Sequence, residues 1–218
     1  MMPKLIAGVD DAGRGPIIGP LVIAGVMIRE DDEKKLLEIG VKDSKKLTPT
    51  KRLQLYGKII EISLDFKYEI ITPKKIDSAV QYKRRTGIGI LNKLEAETMA
   101  KIINYLNPNI AYVDCSDVNE ERYKRMILSK LKSNEIEIIS EHKADEKHPV
   151  VSAASIIAKV KRDSIIDEIR EKYGDIGSGY PNDPKTIEFI KRCIEKGEIP
   201  EFVRKSWSTL DRVRKIKY

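Results

Sequence analysis

Four aspartates stand where a chain could assemble an acidic metal site. Asp10 and Asp11 close a short apolar run, Leu5 to Val9. Asp114 closes a second run, Ile110 to Val113. Asp145 lies shortly before Pro149, a residue suited to the first position of a helix. Each acid taken alone has a plainer reading. Asp10-Asp11 could be two solvated acids opening a loop, and the neighbouring Asp117 could cap the helix that follows. Carboxylates that converge, however, must bind a cation or share protons. Oxygen donors without histidine or cysteine favour Mg²⁺ or Mn²⁺ over zinc. Cys115, His142, His148 and Cys193 lack the close pairing of a zinc site. Neighbouring strand residues point to opposite faces, so Asp10 and Asp11 reach one site only if the chain turns at Asp11. Gly13 would permit that turn.

Other residues suit a phosphate chain. Ser152, Ser155, Lys159 and Arg162 recur at spacings of three, four and three and share one side of a helix. Hydroxyls and cations in that pattern fit a nucleic-acid backbone. They equally fit a solvated stripe with Arg162 paired to a nearby acid. Tyr180 stands among glycines in Gly177-Ser-Gly-Tyr-Pro181, where it could stack on a base or sugar, or pack on the core. The basic clusters Lys83-Arg84-Arg85 and Arg204-Lys205 read as solvated.

The elements that must position these residues follow from periodicity. Leu5–Val9, Ile17–Ile28, Leu64–Thr72, Ile110–Val113 and Ile136–Ser140 read as strands. Lys34–Ile39, Thr48–Ile60, Leu91–Leu106, Glu120–Leu131, a segment from Pro149 to about Tyr173, and a segment after Asp183-Pro184 through Ile194 read as helices. Thr48 or Thr50 could cap the second of these. The first two strands, joined by a Gly-rich turn, should pair antiparallel. The helix before Ile110–Val113 allows a crossover that sets this strand parallel to Leu5–Val9. Asp10 and Asp114 then share the C-terminal edge, where sites of such sheets lie. The expected fold is α/β, a mixed five-stranded sheet flanked by helices.

The chain has 218 residues, a net charge of +7, 41% hydrophobic and 34% charged residues. That length suits one domain with at most a small appendage. The positive balance suits a polyanion partner. Two cysteines imply no disulfide framework and fit a reducing, cytoplasmic setting. No apolar run approaches the roughly 20 residues that span a bilayer.

With these residues in view, the chain resembles ribonuclease HII, the type 2 ribonuclease H family, and its archaeal members in particular. Gly8-Val-Asp-Asp-Ala-Gly-Arg-Gly-Pro16 resembles the family's opening signature, and Asp43-Ser-Lys-Lys-Leu47 its second motif. Tyr112-Val-Asp114 resembles the strand of the third acid. His142-Lys-Ala-Asp145 with Pro149-Val-Val-Ser-Ala-Ala-Ser-Ile-Ile-Ala-Lys159 resembles the block of the fourth. Gly177-Ser-Gly-Tyr-Pro181 and Arg204-Lys-Ser-Trp207 resemble the last two blocks. The motifs span nearly the whole chain, in order.

The resemblance implies a ribonuclease H-like catalytic domain over 1–180 and a C-terminal helical extension over 181–218. It implies an endonuclease that hydrolyses the RNA strand of RNA–DNA hybrids; a monomer is expected. The same enzyme would cut at ribonucleotides embedded in duplex DNA, leaving 3′-hydroxyl and 5′-phosphate ends. By position, Asp10, Asp11, Asp114 and Asp145 are the metal-binding, catalytic acids. Gly13, Arg14 and Gly15 would read the 2′-hydroxyl at the junction, and Tyr180 would stack on the following deoxyribose. Lys45, Lys46, Ser152, Ser155 and Lys159 would meet phosphates. One departure stands out. The family's second acid is usually Glu, and here it is Asp11, one methylene shorter. The expected chemistry uses two Mg²⁺ or Mn²⁺ ions about 4 Å apart, bridged by Asp10. Two other classes share some of these features. An actin-like kinase also opens on a strand, an Asp and a Gly-rich turn, and a non-catalytic hybrid-binding module would account for the charge.

Overall fold

A computed structural model describes residues 3–41, 47–86 and 90–215. Lys45 and Lys46 lie outside the described residues. The chain divides into two compact units. The first comprises 1–12, 22–69 and 92–161; the second comprises 13–21, 70–91 and 162–218.

The first unit is built on a sheet. Its strands are β1 (Leu5–Ala12), β2 (Leu21–Arg29), β3 (Asp65–Ile71), β4 (Ile110–Asp114) and β5 (Glu137–Glu141), in the order β3-β2-β1-β4-β5 among the described residues. β1 pairs antiparallel with β2, Val9 facing Gly25 and Asp10 facing Ala24. It pairs parallel with β4, Val9 facing Val113. β4 pairs parallel with β5. The mixed five-stranded sheet and the shared edge of β1 and β4 are therefore as the sequence suggests. Both central strands are almost wholly buried, so they read as continuous apolar runs rather than alternating ones.

Helices α1 (Glu33–Glu38), α2 (Pro49–Ile62), α4 (Leu91–Leu106), α5 (Glu120–Leu128), α6 (Ala144–Lys147) and the first half of α7 (Pro149–Tyr173) belong chiefly to this unit. Thr48 caps α2, its hydroxyl accepting from the Lys51 amide at 3.2 Å, and Pro49 takes the first position. Asn119, not Asp117, caps α5 by accepting from the Arg122 amide. The start of α7 packs directly on β1. A Cβ placed on Gly8 would lie 2.3 Å from the Val150 carbonyl carbon, so only glycine fits there.

The second unit holds α3 (Pro73–Thr86), the remainder of α7, α8 (Pro184–Glu195) and α9 (Ser208–Lys215). Ile17, Ile18, Ile166, Ile176, Phe189 and Leu210 are among the residues of its core. The second strand begins later than its Ile-rich sequence suggests, at Leu21 rather than Ile17. Ile17 and Ile18 find other partners. The Ile17 amide donates to the Gly179 carbonyl at 2.8 Å, and Ile18 bridges to Val203. Helix α3 is also absent from the sequence reading, because its polar residues give no long apolar stripe.

Candidate active site

Asp10 is the acid most deeply set. It is 4% exposed, and its carboxyl is pushed up to about 8 by burial first, then by the charges of Asp11 and Asp114. Lys159 and a hydrogen bond from Ser155 oppose that rise. Lys159 in turn donates to Ser155, Nζ to Oγ 2.5 Å, so Ser155 and Lys159 of α7 form one polar line with Asp10. Ser155 is fully buried and Ser152 is 1% exposed. The Ser152 hydroxyl finds no hydrogen-bond partner among the described residues.

Asp11 does not mark a turn. β1 runs on to Ala12, and Asp11 faces Ile23 in the β2 register. The Asp11 amide donates to the Asp10 carboxylate at 2.6 Å, which fixes the rotamer of the buried acid. The Asp11 carboxylate accepts from the Ser116 hydroxyl at 3.3 Å. Ser116 was not singled out by its sequence; it follows Cys115 after the third acid. The Asp114 carboxylate accepts from the Ala144 amide at 2.8 Å, which brings the chain carrying Asp145 to the end of β4. Asp145 itself, in α6, is 3% exposed.

Asp117 is a separate, structural acid. It accepts from Asn92, the Asn119 amide and Arg122. Burial would raise its carboxyl, but these hydrogen bonds prevail and hold it at about 2.

The donor set is carboxylate oxygen, and the deepest carboxyl is already hard to ionise because it is buried and its neighbours are anions. A divalent cation is the chemical relief for that arrangement. Among the described residues no three His, Cys, Asp or Glu side chains yet meet in a group ready to hold a metal. The residues fit a hard cation by the chemistry of their oxygen donors.

The second unit carries the other residues that the sequence singles out. Gly13 has φ +95°, and a Cβ there would fall 2.5 Å from Cδ and Nε of Arg162. Arg162 is 6% exposed, not solvated. Its guanidinium lies 5.7 Å from the centre of the Tyr180 ring, and burial lowers its pKa. Tyr180 is 42% exposed, so it is not a core residue. A Cβ on Gly15 would touch its Cε1 at 3.7 Å. The loop of Tyr180 is set by the start of α8: Asp183 accepts from the Lys185 amide, and the Gly179 amide donates to the Thr186 hydroxyl at 2.9 Å. Arg204, expected to be solvated, is fully buried.

The whole-chain pattern has a known counterpart, since residues 7–210 match the family model for ribonuclease HII. The chain belongs to the ribonuclease HII family. Among curated ribonuclease HII proteins, that of Methanococcus maripaludis is 48% identical over 211 residues, covering 94% of this chain and 85% of that protein. The Pyrococcus furiosus protein is 46% identical over 215 residues, covering 97% and 91%. A crystal structure of ribonuclease H2 from Pyrococcus horikoshii superposes with a TM-score of 0.87 at 45% identity, covering 97% of this chain and 98% of that one. The ribonuclease HII solved in complex with PCNA from Archaeoglobus fulgidus gives 0.84 at 43%, covering 96% of each.

Ribonuclease HII membership makes this chain a ribonuclease H endonuclease of a divalent-metal-dependent family. The kinase and the non-catalytic binding module are accordingly not favoured. Among the described residues no helix is long and apolar enough to cross a membrane.

Proposed function

We propose that this ribonuclease HII cuts the RNA strand of RNA–DNA hybrids and also cuts duplex DNA at embedded ribonucleotides, leaving 3′-hydroxyl and 5′-phosphate ends. It would act as a cytoplasmic monomer on ribonucleotide-containing duplexes. The observation that carries the reading is the buried Asp10 carboxyl, 4% exposed and raised by burial first and then by the charges of Asp11 and Asp114.

Asp10, Asp11, Asp114 and Asp145 would hold two Mg²⁺ or Mn²⁺ ions. When bound, the metal supplies an activated water and charge stabilisation for the leaving 3′-oxygen. The chain's own residues do the rest. Ser155 orients Asp10 through a hydrogen bond, and Lys159 balances its charge. Ser116 fixes Asp11. Gly13, Arg14 and Gly15 would read the 2′-hydroxyl, and the exposed Tyr180 ring would stack on the following deoxyribose. Lys45, Lys46, Ser152, Ser155 and Lys159 would meet phosphates. The net charge of +7 supports binding that weakens as salt rises.

The test is cleavage of a DNA duplex containing one ribonucleotide, beside an all-RNA hybrid. Activity should need Mg²⁺ or Mn²⁺ and vanish in Asp10→Asn. Metal-independent cutting, or full activity of that variant, would refute the reading.

A further inference from the structure

Arg204 carries a charge into the core of the second unit and spends it on one short stretch of main chain. Its side chain is fully buried. The guanidinium donates from Nη2 to the Gly13 carbonyl (2.5 Å), from Nη1 to that of Arg14 (2.8 Å) and from Nε to that of Gly19 (3.0 Å). The Arg204 amide donates to the Ile17 carbonyl at 2.8 Å. Trp207 completes the set, its Nε1 donating to the Gly15 carbonyl at 3.1 Å. The carbonyls of residues 13, 14, 15, 17 and 19 are thus all drawn towards the segment 204–207.

That segment is itself anchored. Asp77 of α3 accepts from the Lys205 amide (2.9 Å), the Ser206 amide (2.9 Å) and the Ser206 hydroxyl (2.6 Å). The Arg204 guanidinium also lies 4.8 Å from the centre of the Trp207 ring. A guanidinium has five donors in a rigid plane, and three of its nitrogens are used here. The ammonium of a lysine is a point donor and could not span the same carbonyls.

A glycine-rich turn is intrinsically mobile. Reading a single hydroxyl with main-chain groups needs the turn held to a fraction of an ångström. With its carbonyls engaged from within, the turn is left to meet a ligand through its donor groups.

We propose that Arg204, seated by Asp77 and braced by Trp207, is the positioning residue that presets the Gly13-Arg14-Gly15 turn and so sets the preference for a ribonucleotide embedded in DNA. This rests on the reading that the turn meets the 2′-hydroxyl. An embedded ribonucleotide offers one such hydroxyl, so a loosened turn costs this substrate most. An RNA strand offers one at every residue and is cut in many registers, so its cleavage depends less on any single fit.

The experiment compares wild type, Arg204→Lys and Trp207→Phe, all full length, on the single-ribonucleotide duplex and the all-RNA hybrid with Mg²⁺. Thermal melts confirm folding. Arg204→Lys should lose about tenfold or more in kcat/KM on the single ribonucleotide, mostly through kcat, and under about threefold on the hybrid. Trp207→Phe keeps an aromatic ring, smaller than indole, beside Arg204 and removes the Gly15 hydrogen bond. It should shift selectivity the same way by less, and it carries the test if Arg204→Lys does not fold. Equal losses on both substrates, or unchanged selectivity in a folded variant, overturn the proposal. A wild type that cuts the hybrid and not the embedded ribonucleotide overturns the underlying reading, and the preference with it. That failure is visible without any variant.

Discussion

The Asp114 carboxylate accepts a hydrogen bond from the amide of Ala144, Oδ1 to N 2.8 Å. Ala144 immediately precedes Asp145, so the third acid holds the segment that carries the fourth. The parallel register makes this possible: Asp114 faces Glu141 at the ends of β4 and β5. Lys143 then turns the chain with φ +56°, and α6 begins. One hydrogen bond and one left-handed residue thus bring the segment that carries Asp145 to the end of β4.

Asp10 should be a site where stability and function oppose each other. Its carboxyl is raised from 3.8 to about 8 in the folded protein, so the fold favours the protonated form. The associated stability is fully present below the ordinary carboxylate pKa and is lost as pH rises through about 8. Metal-free wild type should therefore melt progressively lower between pH 4 and 8. Asp10→Asn, neutral at every pH, should melt several degrees higher than wild type in EDTA at pH 8 while losing cleavage. Mg²⁺ should raise the melting temperature of wild type and leave that of the variant nearly unchanged. Thermal scans with and without EDTA check both.

Asp11→Glu is expected to keep or raise activity. The longer side chain restores the family's usual reach, and the Ser116 hydroxyl that now meets Asp11 at 3.3 Å can still serve it. Asp11→Ala should lower kcat at least about tenfold by removing an acid of the cluster. Single-turnover cleavage of the hybrid measures both. A large loss in Asp11→Glu would show a site tuned to the shorter acid.

Gly8→Ala should damage the fold rather than the chemistry. The new methyl would meet the Val150 carbonyl carbon and oxygen at 2.3 Å and the Val151 amide nitrogen at 2.4 Å, all main chain of α7. Main chain cannot rotate away as a side chain can, so α7 must shift off β1. The expected loss is about 3 kcal/mol or more in urea unfolding. A variant as stable as wild type would show that α7 is free to move.

Asp117 should govern acid stability. Burial raises its carboxyl, but hydrogen bonds from Arg122 and Asn92 outweigh it and leave the group at about 2, below its ordinary 3.8. The depressed value means stability present above pH 3.8 and lost as pH falls towards 2. The loss should be about 2 kcal/mol, since a pKa unit is worth about 1.4 kcal/mol. Asp117→Asn should lack this step. Urea unfolding at pH 5, 3 and 2 reads the difference.

Much of the molecule was legible without coordinates because its signals are local. Apolar runs ending in Asp10 and Asp114 marked two strands, and Leu91–Leu106 and Pro149–Tyr173 carried their helical bounds in their own residues. The crossover before β4 was enough to place Asp10 and Asp114 on one edge. Less was legible where a segment's fate depends on a distant partner. Ile17 and Ile18 have strand chemistry, yet they pair with Gly179 and Val203 and leave β2 to start at Leu21.

By itself, then, the sequence determined the acids, their order along the chain and the sheet that bears them. Types, spacing and hydrophobic period are properties of neighbouring residues. Only the tertiary structure decided that Asp11 stays in the strand, that Ser116 meets it, and that the Arg204 of a basic pair is buried under the Gly13 turn. Those outcomes depend on hydrogen-bond partners 105 and 191 residues away, whose carbonyls and carboxylates offset the cost of burying polar groups. No local pattern records such a partner.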